Sequence, residues 1–130
     1  MDISKSFLKQ FLTSIVFITT FGFSQTTYVP DDNFEQALID LGYDDVLDDY
    51  VLTANISGVT TLYVESKEIA DLMGIEAFTA LEELDCHQNQ LTSLDVGSNT
   101  ALTYLQCYAN QLTYLNMRNG ITDQLSNFNA

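Results

Sequence analysis

Apolar residues recur along this chain at a spacing that one helix or one strand cannot explain. A pattern of Leu81, Leu84, Cys86, Asn89, Gln90, Leu91, Thr92 and Leu94 begins again, without a gap, at Leu102, Leu105, Cys107, Asn110, Gln111, Leu112, Thr113 and Leu115, 21 residues later. An earlier, less regular copy sets Leu62, Val64, Ile69 and Leu72 at 22 residues before Leu84, Cys86, Leu91 and Leu94. Repeats of this length mark a solenoid, in which one unit cannot bury its apolar face alone and stacks on its neighbours to do so. Three coils are predicted.

Within each copy the residue types follow from backbone geometry. In the stretch Glu83 to His87 the alternation puts Leu84 and Cys86 inward and Glu83, Asp85 and His87 outward, as a short strand requires. Stacked coils then form a parallel sheet whose outward side chains line up in columns: Thr61, Glu83 and Tyr104; Tyr63, Asp85 and Gln106; Glu65, His87 and Tyr108. In the turn after each strand, Asn89 and Asn110 can satisfy backbone groups that have no sheet partner and repeat that bond from coil to coil. The roles expected of them are structural.

Upstream, Asp32 and Glu35 are spaced as a capping box, Phe34, Ala37, Leu38 and Leu41 share one helical face, and Gly42 follows the end. An amphipathic helix is predicted there. The first coil of a solenoid exposes its interior unless something covers it, so this helix and residues 45–50 read as an N-terminal cap.

The unit Leu81-x-x-Leu84-x-Cys86-x-x-Asn89-x-Leu91 resembles that of the leucine-rich-repeat family. The resemblance covers about residues 59–122. The 21- to 22-residue period and the stretch from Ile69 to Phe78 are most similar to the internalin-like subclass of secreted bacterial proteins. It implies an α/β fold, a leucine-rich-repeat right-handed solenoid with a parallel sheet and an N-terminal helical cap. Two positions depart from the pattern: Lys67 stands where the first coil should carry asparagine, and Asp123 where leucine is expected. After Met117 the pattern lapses. Residues 123–130 read as an incomplete further coil or a truncated end, so the chain is expected to be the N-terminal portion of a longer solenoid, with Leu105, Cys107, Leu112 and Leu115 open on their C-terminal side.

The first residues have the layout of a secretory signal peptide. Lys5 and Lys9 precede the apolar run Phe11 to Phe23, which ends at Gly22 and Ser24. Residues 1–24 are expected to be removed, with the mature protein beginning at Gln25, a cap over residues 25–58 and no membrane span after cleavage. Beyond residue 24 the remaining cations are Lys67 and Arg118, and the whole chain has a net charge of −14. Such a surface repels nucleic acid and anionic membranes and favours cationic partners or divalent metal. An apolar content of 46% argues against disorder.

Little in the sequence points to catalysis. His87 is the sole histidine, and Cys86 turns inward wherever its neighbour His87 turns outward, so no Cys-His or Ser-His-Asp arrangement is supported. No phosphate-binding or dinucleotide motif occurs. No cofactor is expected. Cys86 and Cys107 occupy one inward slot of adjacent coils with parallel Cβ vectors, which strains a disulfide and favours two buried free thiols. Asp44, Asp45, Asp48 and Asp49 lack the order of an EF-hand and read as a solvated acidic edge. The binding candidates are the outward residues Tyr63, Glu65, Glu83, Asp85, His87, Tyr104, Gln106 and Tyr108. Together with the resemblance they imply an extracellular or cell-surface binding or adhesion module for a protein partner or a glycan; the alternative is a spacer that displays a domain absent from this chain.

Overall fold

The computed structural model describes residues 22–118 and the strand Asn127–Asn129. The signal-peptide reading of residues 1–24 therefore falls mostly outside the described residues, as do Asp123 and most of the predicted last coil. Along the chain run β1 (Thr26–Tyr28), α1 (Asp32–Asp40), β2 (Tyr50–Leu52), the single turn α2 (Thr53–Ile56), β3 (Thr61–Tyr63), a 3-10 turn (Ile75–Ala77), β4 (Glu83–Asp85), β5 (Ser93–Asp95), β6 (Tyr104–Gln106), β7 (Tyr114–Asn116) and β8 (Asn127–Asn129).

The repeats form a leucine-rich-repeat solenoid. One parallel sheet has the order β3-β4-β6-β8, and a second, narrower one pairs β5 with β7. Register follows the sequence period: Leu62 sits beside Leu84 and Leu84 beside Leu105. On the second sheet Leu94 sits beside Leu115. The middle side chains of β3, β4, β5, β6 and β7 point inward, which makes rows of like residues through the stack. Leu62, Leu84 and Leu105 form one row, Val64, Cys86 and Cys107 the next, and Val59, Leu81 and Leu102 a third, all buried. Burying one such leucine contributes about 2 kcal/mol, so these rows are the main source of cohesion between coils.

Leu105 and Cys107 are 0% and 1% exposed, contrary to the expectation that they lie open, whereas Leu112 and Leu115 are only partly buried. β8 pairs in parallel with β6, setting Phe128 beside Leu105, and so extends the sheet past that row.

The helix α1 forms where expected, with its start shifted by one residue. Asp31, not Asp32, is the N-cap: its Oδ1 accepts from the N–H groups of Asn33 and Phe34. Two adjacent aspartates were competent, and the one with extended backbone took the position. Glu35 consequently makes no capping box. It is fully buried, and its Oε1 accepts from Asp48 N–H at 2.9 Å and Tyr50 N–H at 3.1 Å, fixing the loop that leads into β2. At the other end Gly42 adopts φ +80°, and the bonds Gly42 N–H to Ile39 O and Tyr43 N–H to Leu38 O close a Schellman motif. Leu41 was expected on the buried face but is 45% exposed, because it lies past the last helical residue and turns away with the chain.

Phe34, Ala37 and Leu38 of α1 join the same apolar core as the coils, and the Phe34 ring lies 6.4 Å from that of Phe78. Polar bonds reinforce the junction. Asp31 Oδ2 accepts from the N–H groups of Ala70 and Asp71, Asn33 donates to Glu68 O, and Lys67 pairs with Asp40 at 3.7 Å. Gly74, with φ +103°, sits so close beneath β1 that a Cβ there would meet Tyr28 O and Val29 Cγ2, each at 2.9 Å.

Candidate functional site

The outward face of β3, β4 and β6 brings the predicted columns together. Thr61, Glu83 and Tyr104 are register partners, as are Tyr63, Asp85 and Gln106. Two residues further along, the bonds from Ser66 N–H to His87 O and from Gln88 N–H to Tyr108 O hold Glu65, His87 and Tyr108 in the third column. The inward residues between them, Leu84, Cys86, Leu105 and Cys107, are buried. Alternation along the strands alone thus decides which side chains are available.

The face is a set of coupled pairs. Tyr63 is half exposed and donates its hydroxyl proton to Glu83 Oε2 at 2.7 Å, a bond that holds the phenol above its ordinary pKa, with added repulsion from the neighbouring carboxylates. His87 Nδ1 is bonded to Asp85 Oδ1, and both side chains are mostly buried, at 17% and 16% exposure. The imidazole stacks on Tyr108 with ring centroids 4.5 Å apart and planes 13° from parallel. Gln106 donates to the Tyr104 hydroxyl. Glu65 stands exposed at the edge. The result is a platform of tyrosines and carboxylates whose rotamers are limited by their neighbours.

Behind this face the turn asparagines hold the coils in register. Asn89 Oδ1 accepts from Lys67 and Ile69 N–H, and its Nδ2 donates to Val64 O and Cys86 O. Asn110 repeats the arrangement one coil on, accepting from Leu91 N–H and donating to Cys86 O and Cys107 O. Asn99, whose role the sequence pattern did not reveal, does similar work at another corner, donating to Ile75 O and Phe78 O. The signal for it is its position: buried polar residues need backbone partners, but with one clear copy the repeat gave no column to read. Ahead of each turn Ser66, Gln88 and Ala109 share the left-handed conformation, at φ 58°, 54° and 54°.

Cys86 and Cys107 are free thiols in the row beneath the face. Burial pushes both above the ordinary thiol pKa, so neither is an activated nucleophile. The pairing of His87 with Asp85 therefore orients the imidazole without a nucleophile from the adjacent cysteine. Among the described residues no group of three or more His, Cys, Asp or Glu side chains could hold a metal ion. On the acidic edge, burial raises the Asp44 pKa, and the charges of Asp45 and Asp48 add to it.

The chain is 37% identical over 72 residues to internalin J of Listeria monocytogenes serotype 4b (strain F2365), a match covering 55% of this chain and 8% of the relative. The solved functional domain of InlJ from Listeria monocytogenes superposes with a TM-score of 0.57 at 33% identity, over 72% of this chain and 24% of that one. The repeats are similar to those of internalins. The fold is shared more widely: an internalin (inlF) from Listeria monocytogenes aligns with a TM-score of 0.55 at 24% identity, covering 68% of this chain and 30% of that one. Internalin C2 from the same species aligns with a TM-score of 0.56 at 19% identity, covering 83% and 53%. No protein-family model matches the chain. The chain spans less than a tenth of the length of internalin J. The InlJ domain is described as including a cysteine ladder. No helix among the described residues is long and apolar enough to cross a membrane.

Proposed function

We propose that this chain is an exported, non-enzymatic binding module whose internalin-like repeats present the face of β3, β4 and β6 to a protein partner at or outside the cell surface. In this reading residues 1–24 are a signal peptide, residues 25–58 cap the stack with α1, and residues 59–122 form a right-handed solenoid with the binding face on its concave side, the hand that parallel crossovers adopt. Cys86 and Cys107 are two rungs of a ladder of the kind described for InlJ, packing as small apolar groups.

The observation that carries the proposal is the platform itself. Tyr63, Tyr104 and Tyr108 stand in successive columns of one sheet, with the Tyr108 ring held flat against His87. Tyrosine is enriched where binding energy concentrates, since it buries much area at a small entropy cost.

The test replaces Tyr63, Tyr104 and Tyr108 by serine and compares capture of the exported protein's partner with that of Tyr114→Ser, a substitution on the other sheet. Loss of a hot-spot tyrosine costs about 2 kcal/mol, roughly thirtyfold in affinity. The triple variant is expected to lose at least that while Tyr114→Ser changes nothing. Equal affinity with unchanged circular dichroism favours the spacer reading instead.

A further inference from the structure

We propose that the occupant of this face is a basic segment of a protein, engaged through arginine. The inference rests on the β3, β4 and β6 face being the binding surface, and adds the chemistry of what it binds. The face carries three carboxylates, Glu65, Glu83 and Asp85, and no lysine or arginine. Covering such groups with a neutral ligand strips their water and returns no opposite charge. A cationic ligand offsets that loss. Two of these carboxylates are already half-buried and aimed by neighbours, Glu83 by Tyr63 and Asp85 by His87, so little side-chain freedom remains to be lost.

Geometry favours guanidinium over ammonium. The strands lie about 4.8 Å apart and alternate residues on one strand about 6.6 Å apart, so a planar cation can reach a carboxylate of β4 while its face covers the neighbouring ring. A ring stack lies there: His87 and Tyr108 pack face against face, with centroids 4.5 Å apart, beside Asp85, and a guanidinium plane can add to the open side of that stack. Arginine forms bidentate bonds with carboxylates and stacks on aromatic faces, whereas lysine does neither as well. The chain's net charge of −14 steers cations to it from a distance.

The experiment titrates the mature protein with a fluorescein-labelled hexapeptide alternating arginine and serine, and with its lysine and citrulline counterparts, at 50 and 500 mM salt. The expected result is saturable binding of the arginine peptide, weakened at least tenfold by citrulline, several-fold by lysine and at least tenfold by high salt. Glu83→Gln with Asp85→Asn should weaken it at least tenfold, while Asp32→Asn with Asp45→Asn, which removes the same charge elsewhere, should change it less than twofold. His87, the one histidine in the sequence, gives a second readout in unmutated protein: its imidazole proton resonance should shift on saturation. Equal binding of citrulline, equal weakening by the two charge-removing pairs, or an unmoved His87 resonance overturns the proposal. If the triple tyrosine variant loses its partner while the arginine peptide does not bind, the face stands as the binding surface and its preference for arginine falls.

Discussion

Asn89 reaches back a full coil to take the N–H of Lys67 on its Oδ1 at 3.0 Å, and Lys67 itself occupies the position where the first coil would carry the equivalent asparagine. The direction of this bond explains the exception. Each turn asparagine serves the backbone of the coil before it, as Asn110 serves Leu91, and among the described residues no earlier repeat precedes the coil of Lys67. There the N-terminal unit supplies the bonds instead, from Asp31 to Ala70 and Asp71 and from Asn33 to Glu68.

Asn89→Ala is therefore expected to be among the most damaging single changes. It leaves the buried Ile69 N–H and Val64 O short of a partner, while Cys86 O keeps its bond from Asn110, and each buried orphan costs about 1–3 kcal/mol. A loss of about 3 kcal/mol or more in urea unfolding is predicted. Asn110→Ala should cost less, since Asn110 is only half-buried. Equal small losses would show the ladder to be dispensable.

Gly74→Ala is expected to destabilise by at least about 2 kcal/mol and to loosen β1. The residue combines φ +103° with backbone and side-chain atoms at 2.9 Å from any added Cβ. Hydrogen exchange of the Val29 amide, which donates to Asp49 O, reports the local effect. Unchanged protection in the variant would contradict the tight contact.

Cys86 supplies a pH-dependent prediction. Burial raises its pKa above the ordinary 9.0, so ionisation favours the unfolded chain. Its contribution is fully present below about pH 9 and is lost as pH rises beyond it. The stability advantage of the native protein over Cys86→Ala should shrink by about 1 kcal/mol between pH 8 and pH 10. The thiol should also resist alkylation until the protein is unfolded. A constant difference across that range, or rapid labelling of native protein, would show the thiol to be accessible.

The repeats and the outward columns of β3, β4 and β6 were legible because they depend on periodicity: rows such as Leu62, Leu84 and Leu105 fix the inward side, and alternation fixes the rest. What was not legible depends on single positions. Asp31 and Asp32 are chemically equal candidates for the helix cap, and only the backbone angles choose between them. Glu35 is spaced to close a capping box with Asp32, yet the two N–H groups of the loop to β2 draw it inward. The left-handed turns at Ser66, Gln88 and Ala109 carry no glycine to mark them, so that each stores about 1 kcal/mol of strain offset by the asparagine bonds beside it. The pairing of His87 with Asp85 joins outward neighbours on one strand, a contact that periodicity permits but does not specify.

The central claim is that binding belongs to the face of β3, β4 and β6. Site-specific photocrosslinking addresses it most directly, with p-benzoylphenylalanine placed singly at Tyr63, Tyr104 and Tyr108, at Tyr28 on β1 and at Tyr114 on β7, in the presence of the partner captured by the native protein. An adduct of the same partner from the first three positions, and none from Tyr28 or Tyr114, is the predicted result. Adducts confined to Tyr28 or Tyr114, or equal yields from all five positions, would contradict it.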